Sequence, residues 1–181
     1  MGAYVISVLA MTEANSFAES ASLWAIRVAM VIMVAVLAAE LRGAKPTTRL
    51  IGWLWLLGAL FALAHSVSAL MTFHHGSQEA ALESTAAQTE QLLGFRFGAG
   101  LYINYLFVVV WLADAAFRLL GPSRYASLPS WYRLLVIGFL VFIAINGAIV
   151  FKSGWIRIIG IGCVCMLGIL KLTRIPGSVP E

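Results

Sequence analysis

The sequence predicts an all-α, polytopic membrane protein with five membrane-spanning helices and one short helix on the outer surface. Of its 181 residues, 61% are hydrophobic and only 11% are charged, which is too little charge for a soluble domain of this length. Apolar segments of about 20 residues, the length that a helix needs to cross a bilayer, recur along the chain. Helices are expected because the backbone must satisfy its own hydrogen bonds inside the membrane.

The predicted spans cover residues 23–41, 50–73, 97–117, 131–151 and 155–172. Together they form a single membrane domain over residues 1–181, since no loop is long enough to fold alone. The last span contains Arg157 near its start and Lys171 near its end. Both positions allow a long side chain to reach the membrane interface, so neither residue argues against the span.

Basic residues are concentrated on one side of the predicted bundle. That side receives Arg42, Lys45, Arg49, Arg118, Arg124, Arg133, Lys171 and Arg174. Cytoplasmic loops carry an excess of Lys and Arg, so this side is predicted to be cytoplasmic. The N-terminus is then outside and the C-terminus inside the cell. We expect a multi-pass protein of a bacterial inner membrane.

The longest loop is predicted to contain a helix over residues 78–93. Ser77 precedes it and can accept a hydrogen bond from a free backbone N–H of the first turn. Gly94 follows it and can end the helix in a left-handed conformation. The alanines and leucines of this segment favour a helix that packs on the outer face of the bundle.

Four spans each place one strongly polar residue in the outer half of the membrane. At 1.5 Å per residue, the depths are roughly 12 Å for His65, 10 Å for Asn104, 9 Å for Asn146 and 8 Å for Arg27. Each would cost several kcal/mol if it faced lipid, so they are predicted to face inward and meet. The layer could bind a cofactor such as a quinone or haem, or form a proton path. The alternative is that these residues only form hydrogen bonds between helices.

A second group of candidates lies where the second span leaves the membrane. His74, His75, Glu79 and Glu83 carry imidazole and carboxylate groups, which are transition-metal ligands. Their spacing matches none of the strong zinc patterns. His65 is the only histidine in a predicted span. A haem held between two spans by two histidines of this chain is therefore not expected. A metal, haem or quinone shared with a partner chain is the remaining form of this hypothesis.

No common catalytic motif occurs in the sequence, so we do not expect an enzyme. The net charge of +4 fits the Lys/Arg excess of a membrane protein, and nucleic-acid binding has no support.

Gly94 and Gly98 begin a small-residue surface that favours close contact with helices of the bundle or of a partner. The first hypothesis is therefore a non-catalytic subunit or accessory protein of a larger, energy-converting inner-membrane complex. Its partners would be the bilayer and other membrane subunits, or a second copy of the chain. The alternatives are a metal-, haem- or quinone-binding protein and a small proton-coupled transporter.

Overall fold

The computed structural model describes residues 2–150 and 154–173, with side chains described from Ser16 onward, and all the regular structure in these residues is helical. The helices are α1 (Gly2–Leu41), α2 (Arg49–His74), α3 (Gln78–Leu93), α4 (Gly100–Leu120), α5 (Pro122–Ala126), α6 (Ser130–Ile145) and α7 (Gly154–Leu172). A π-helical turn, Asn146–Val150, continues α6.

Five segments are long and apolar enough to cross a membrane, as the sequence predicts. They are Ser16–Leu41, Arg49–His74, Gly100–Leu120, Ser130–Val150 and Gly154–Leu172. The main differences from the predicted bounds are at the first and third spans. Helix α1 begins at Gly2, well before the predicted start at residue 23, so it is about 60 Å long and extends beyond the hydrocarbon core.

The third span is displaced by three residues from its predicted range of 97–117, because the residues before it pack on α3. A Cβ at Gly98 would lie 2.7 Å from the carbonyl oxygen of Leu82, so only glycine permits this approach.

Helix α3 has the predicted caps: Ser77 Oγ accepts from the N–H of Ala80 at 3.1 Å, and Gly94 has φ 80°.

The fourth span changes its winding near its end. Residues 146–150 form the π-helical turn, and residue 151, the predicted end, lies outside the described residues. Arg157 of the next helix donates from Nε to the carbonyl oxygen of Ile149 at 2.8 Å. Gly160 also lies against this turn, since a Cβ there would be 3.0 Å from Ile149 Cγ1. Arg157 therefore satisfies backbone acceptors that the wider turn leaves free.

The two ends of the bundle differ in packing. We call the end at which α1 and α4 terminate and α2 begins the basic end. We call the end at which α2 terminates and α3 lies the histidine end.

The hydrophobic core joins α1, α2 and α4 around Trp55 and Trp111, whose ring centroids are 5.1 Å apart. Gly58 permits this contact, since a Cβ there would lie 2.7 Å from Trp111 Cζ2.

Candidate functional site: a buried charge cluster at the basic end

Three helix ends and one short helix bring a group of charged and aromatic side chains together inside the basic end. The members of this charge cluster are Glu40 of α1, Trp55 of α2, Asp114 and Arg118 of α4, and Tyr125 of α5. Asp114 and Arg118 share one face of α4 because they are four residues apart. Gly121 and Pro122 end α4 and start α5, which brings Tyr125 back against the same face.

Asp114 is the acceptor at the centre of the cluster. Trp55 Nε1 donates to Oδ2 at 2.8 Å, and Arg118 Nε donates to the same oxygen at 2.7 Å. Tyr125 Oη donates to Oδ1 at 3.0 Å. The three donors come from three different helices, so this single carboxyl group connects α2, α4 and α5.

Arg118 is completely buried and faces two carboxyl groups. Besides Asp114, it contacts Glu40, with Nη1 2.5 Å from Oε1. Its guanidinium carbon lies 4.5 Å from the ring centre of Trp55 and 5.3 Å from that of Tyr125, in favourable cation–π positions. Its Nη2 has no acceptor among the described residues. The planar guanidinium group suits these simultaneous contacts, which a lysine ammonium group could not make.

Tyr125 lies outside the membrane-spanning segments but is only 1% exposed. Burial raises the pKa of its hydroxyl group above the ordinary value, and the neighbouring Asp114 raises it further. The hydroxyl group therefore stays protonated and donates to Asp114.

The sequence predicts only part of this cluster. The four-residue spacing of Asp114 and Arg118 predicts an ion pair at the membrane interface; the pair exists but is fully buried. The closeness of Glu40 and Arg42 in the sequence predicts a similar local pair, which is wrong, because Glu40 pairs with Arg118 and Arg42 is exposed. The depth calculation could have found Glu40 and Asp114 if it had been applied to the basic end as well. No sequence signal indicated Tyr125.

Of the predicted polar layer, His65 joins two helices at the histidine end, but its partners are serines outside the predicted layer. His65 Nδ1 lies 2.9 Å from the carbonyl oxygen of Ser22, and a carbonyl can only accept, so Nδ1 carries the proton. Ser68 Oγ donates to Ser22 Oγ at 2.9 Å. We call these three residues the His65 group; it joins α1 to α2. Ser22 is buried, whereas His65 and Ser68 are half-buried.

The other three residues of the predicted layer lie elsewhere. Arg27 is exposed, and its guanidinium carbon lies 4.9 Å from the ring centre of Trp24 on the same helix. Asn104 is exposed near the start of α4. Asn146 is half-buried and donates from Nδ2 to the carbonyl oxygen of Phe142 at 2.8 Å, within its own helix. The structure therefore does not bring the four side chains into one contact.

The predicted metal ligands are distributed around the connection from α2 to α3. His74 ends α2, His75 follows in a left-handed conformation with φ 51°, and Glu79 lies in the first turn of α3. Glu83 pairs instead with Arg96, whose other terminal nitrogen is 2.7 Å from Glu90. Among the side chains of residues 16–150 and 154–173, no three His, Cys, Asp or Glu residues are placed to hold a metal ion. The metal hypothesis thus gains no support.

An open apolar groove of about 370 Å³ lies between α2 and α4 at the histidine end. Val67 and Leu70 line it from α2 and Val109 from α4. Tyr105 Oη donates to Gln78 Oε1 at 3.0 Å at one side of the groove. None of the predicted layer residues lines this groove, so the quinone hypothesis stays a prediction without a structural site.

The five long apolar helices are consistent with the class of multi-pass α-helical membrane proteins. No protein-family model, curated protein or solved structure matches this chain.

Proposed function

We propose that the chain is an integral, non-catalytic subunit of a larger complex in a cell inner membrane, such as an energy-converting complex. The observation that carries the proposal is the uneven packing of the spans. In the described part of the fourth span, Leu140 is the only buried residue, and α7 has none. Both segments are nevertheless long and apolar enough to cross a membrane. A membrane partner could pack on these two spans without disturbing the core formed by α1, α2 and α4.

Lipid can also cover an apolar face, so an exposed polar side chain in a span is stronger support for a protein partner. Asn104 is exposed about 6 Å inside the start of α4. Lipid tails offer no hydrogen-bond partner to its amide, whereas a neighbouring protein surface can offer one. This supports a subunit that contacts other membrane chains or a second copy of itself.

The orientation forms part of the same proposal. The basic end carries the exposed residues Arg42, Lys45, Arg49, Arg124 and Arg133. We place this end in the cytoplasm, with the N-terminus outside, the C-terminus inside and α3 on the outer face. Attaching a membrane-impermeant label to single cysteines in the α1–α2 and α2–α3 connections would test it. Labelling of intact cells in the α1–α2 connection would contradict the orientation.

Site-specific crosslinking in the native membrane tests the proposed subunit role. A photoreactive residue at Ile161, on the exposed surface of α7, should give a discrete crosslink to another chain. The same residue at Leu57 of α2 is a matched control, because Leu57 is also exposed but lies on a helix that packs in the core. Gentle solubilisation should then recover the partner in fixed stoichiometry. A chain that forms one monodisperse monomer and gives no crosslink from Ile161 would contradict the proposal.

A small proton-coupled transporter is the second candidate, favoured by the different packing of the two ends. The buried residues of α2 end at Ala62 and those of α4 begin at Phe107, so the described bundle is closed at the basic end and open at the other. A bundle closed at one end and open at the other resembles an outward- or inward-open state of alternating access. Purified chain in proteoliposomes should then show solute flux driven by a pH gradient. Absence of pH-driven proton movement would set this candidate aside.

A further inference from the structure

The charge cluster contains more negative than positive groups. Arg118 supplies one positive charge, whereas Glu40 and Asp114 supply two carboxyl groups. Arg118 hydrogen-bonds to both of them. With both acids ionised, the buried set would carry one uncompensated negative charge. Such a charge is costly away from water, and binding one proton removes it.

The two carboxyl groups are not equivalent. Asp114 accepts hydrogen bonds from Trp55, Arg118 and Tyr125, so both its oxygens already accept from donors other than Glu40. The contact between Glu40 and Arg118 joins one oxygen to one nitrogen and is not bidentate. Arg118 Nη2 has no acceptor among the described residues, so only one of the two terminal nitrogens hydrogen-bonds to Glu40.

Access also distinguishes the two acids. The side chains of Arg118 and Asp114 are 0% and 1% exposed, whereas that of Glu40 is 17% exposed. A proton from the water at the basic end therefore reaches Glu40 first.

The charged and titratable groups around Glu40 come from several helices. Arg118 and Asp114 of α4 and Arg133 of α6 act on it electrostatically, and Tyr125 of α5 hydrogen-bonds to Asp114. From α2 the cluster receives Trp55, which does not titrate. On α7, Lys171 is exposed at its end.

We propose that Glu40 is a proton-binding site that opens to the basic end of the protein. A proton from water adds to a Glu40 carboxylate oxygen and converts it to a carboxylic acid, which leaves Arg118 and Asp114 as a balanced buried pair. The ion pair that joins α1 to α4 then becomes a weaker hydrogen bond between a neutral acid and the guanidinium. Proton binding thus loosens the contact of α1 with α4. This inference is independent of both functions proposed above.

Reaction with a hydrophobic carbodiimide tests the proposal on the full chain in lipid nanodiscs. The reagent takes the proton of a carboxylic acid on one nitrogen while the carboxylate oxygen adds to its central carbon, and rearrangement gives a stable N-acylurea. Peptide mass spectrometry should find at least ten-fold more adduct on Glu40 than on the exposed Glu79 at pH 7, with more adduct as the pH falls. Equal labelling of Glu40 and Glu79 from pH 5 to pH 8 would overturn the proposal.

Two variants link the labelling to the charge count. Asp114→Asn leaves Glu40 alone with Arg118, so labelling of Glu40 should fall several-fold at pH 7. Arg133→Gln changes an exposed residue and removes a positive charge that favours ionised Glu40, so labelling should rise. The second variant keeps the test valid if the first does not fold. Labelling of Glu40 that is unchanged in every folded variant would show that the cluster does not control its proton, and would overturn the proposal.

Discussion

The two ends of this bundle contain polar groups of similar strength but organise them in different ways. At the basic end, Arg118 is buried between oppositely charged groups and aromatic rings. At the histidine end, Arg27 is exposed and stacks on Trp24 of its own helix. The difference is that no described span carries a carboxylate beside Arg27 in the core, whereas Arg118 has Asp114 one turn away and Glu40 across the bundle.

Depth in the membrane alone therefore does not decide whether polar residues meet. Burial of a charge requires a partner of opposite charge and enough hydrogen bonds to satisfy both. The charge cluster supplies groups of opposite charge and hydrogen bonds with five side chains from four helices, although Arg118 Nη2 has no acceptor among the described residues. The His65 group is smaller, with hydrogen bonds between three side chains, and Asn104 lies outside it.

The largest expected effect is that of removing the buried guanidinium. Arg118→Met keeps a long side chain but leaves Asp114 and Glu40 without their cation, which should destabilise the protein by about 3–5 kcal/mol. Arg27→Met is the matched control at the other end and should cause no resolvable change, because Arg27 is exposed. Thermal unfolding in mild detergent measures both. Equal effects of the two substitutions would contradict the proposed difference between the buried Arg118 and the exposed Arg27.

A smaller loss is expected at the tryptophan donor of the charge cluster. Trp55→Phe removes the hydrogen bond from Nε1 to Asp114 and part of the aromatic surface under Arg118, at a cost of about 1.5–3 kcal/mol. Trp53→Phe, two residues away on the same helix, changes a residue that is 59% exposed and serves as control. The same unfolding assay compares them. If Trp53→Phe is as destabilising as Trp55→Phe, the hydrogen bond to Asp114 does not contribute as proposed.

The His65 group should contribute less, because the hydrogen bond between its two serine hydroxyl groups joins uncharged groups. Ser22→Ala and Ser68→Ala each remove one partner of the hydrogen bond between their hydroxyl groups, and each should cost about 0.5–1.5 kcal/mol. The double variant should cost less than the two single variants combined, since the second substitution finds the bond already lost. Strictly additive losses would show that the two hydroxyl groups do not interact.

The sequence predicts the spans well because each apolar segment must match the thickness of the membrane. It predicts α3 well because Ser77 and Gly94 act locally at its ends. It misplaces the start of α4, since the contact of Gly98 with Leu82 joins segments whose packing is decided in three dimensions.

The charge cluster was harder to predict for the same reason. The pairing of Asp114 with Arg118 is a local four-residue relation and was predicted from the sequence. The contacts of Arg118 with Glu40 and of Asp114 with Trp55 join helices distant in the chain. Which faces of α1, α2 and α4 turn toward one another depends on packing around Gly58 and Trp111, which one sequence does not reveal.

The last expected effect is a pH dependence that belongs to Tyr125 and appears only at alkaline pH. Its pKa in the folded protein is raised above the value of about 10 that it has in the unfolded chain. The associated stability is therefore fully present below about pH 10 and is lost as the pH rises further, because the unfolded chain releases the proton first. Stability should fall by up to about 1.4 kcal/mol per pH unit above pH 10 from this group.

Tyr125→Phe should remove this part of the slope while lowering stability at neutral pH, since the hydrogen bond to Asp114 is lost as well. Tyr102→Phe is the control, because Tyr102 is 54% exposed. Unfolding midpoints of the three proteins from pH 8 to pH 11 separate the slope from the constant loss. A wild-type slope that survives in Tyr125→Phe would assign the alkaline loss to other groups and leave Tyr125 with a packing role only.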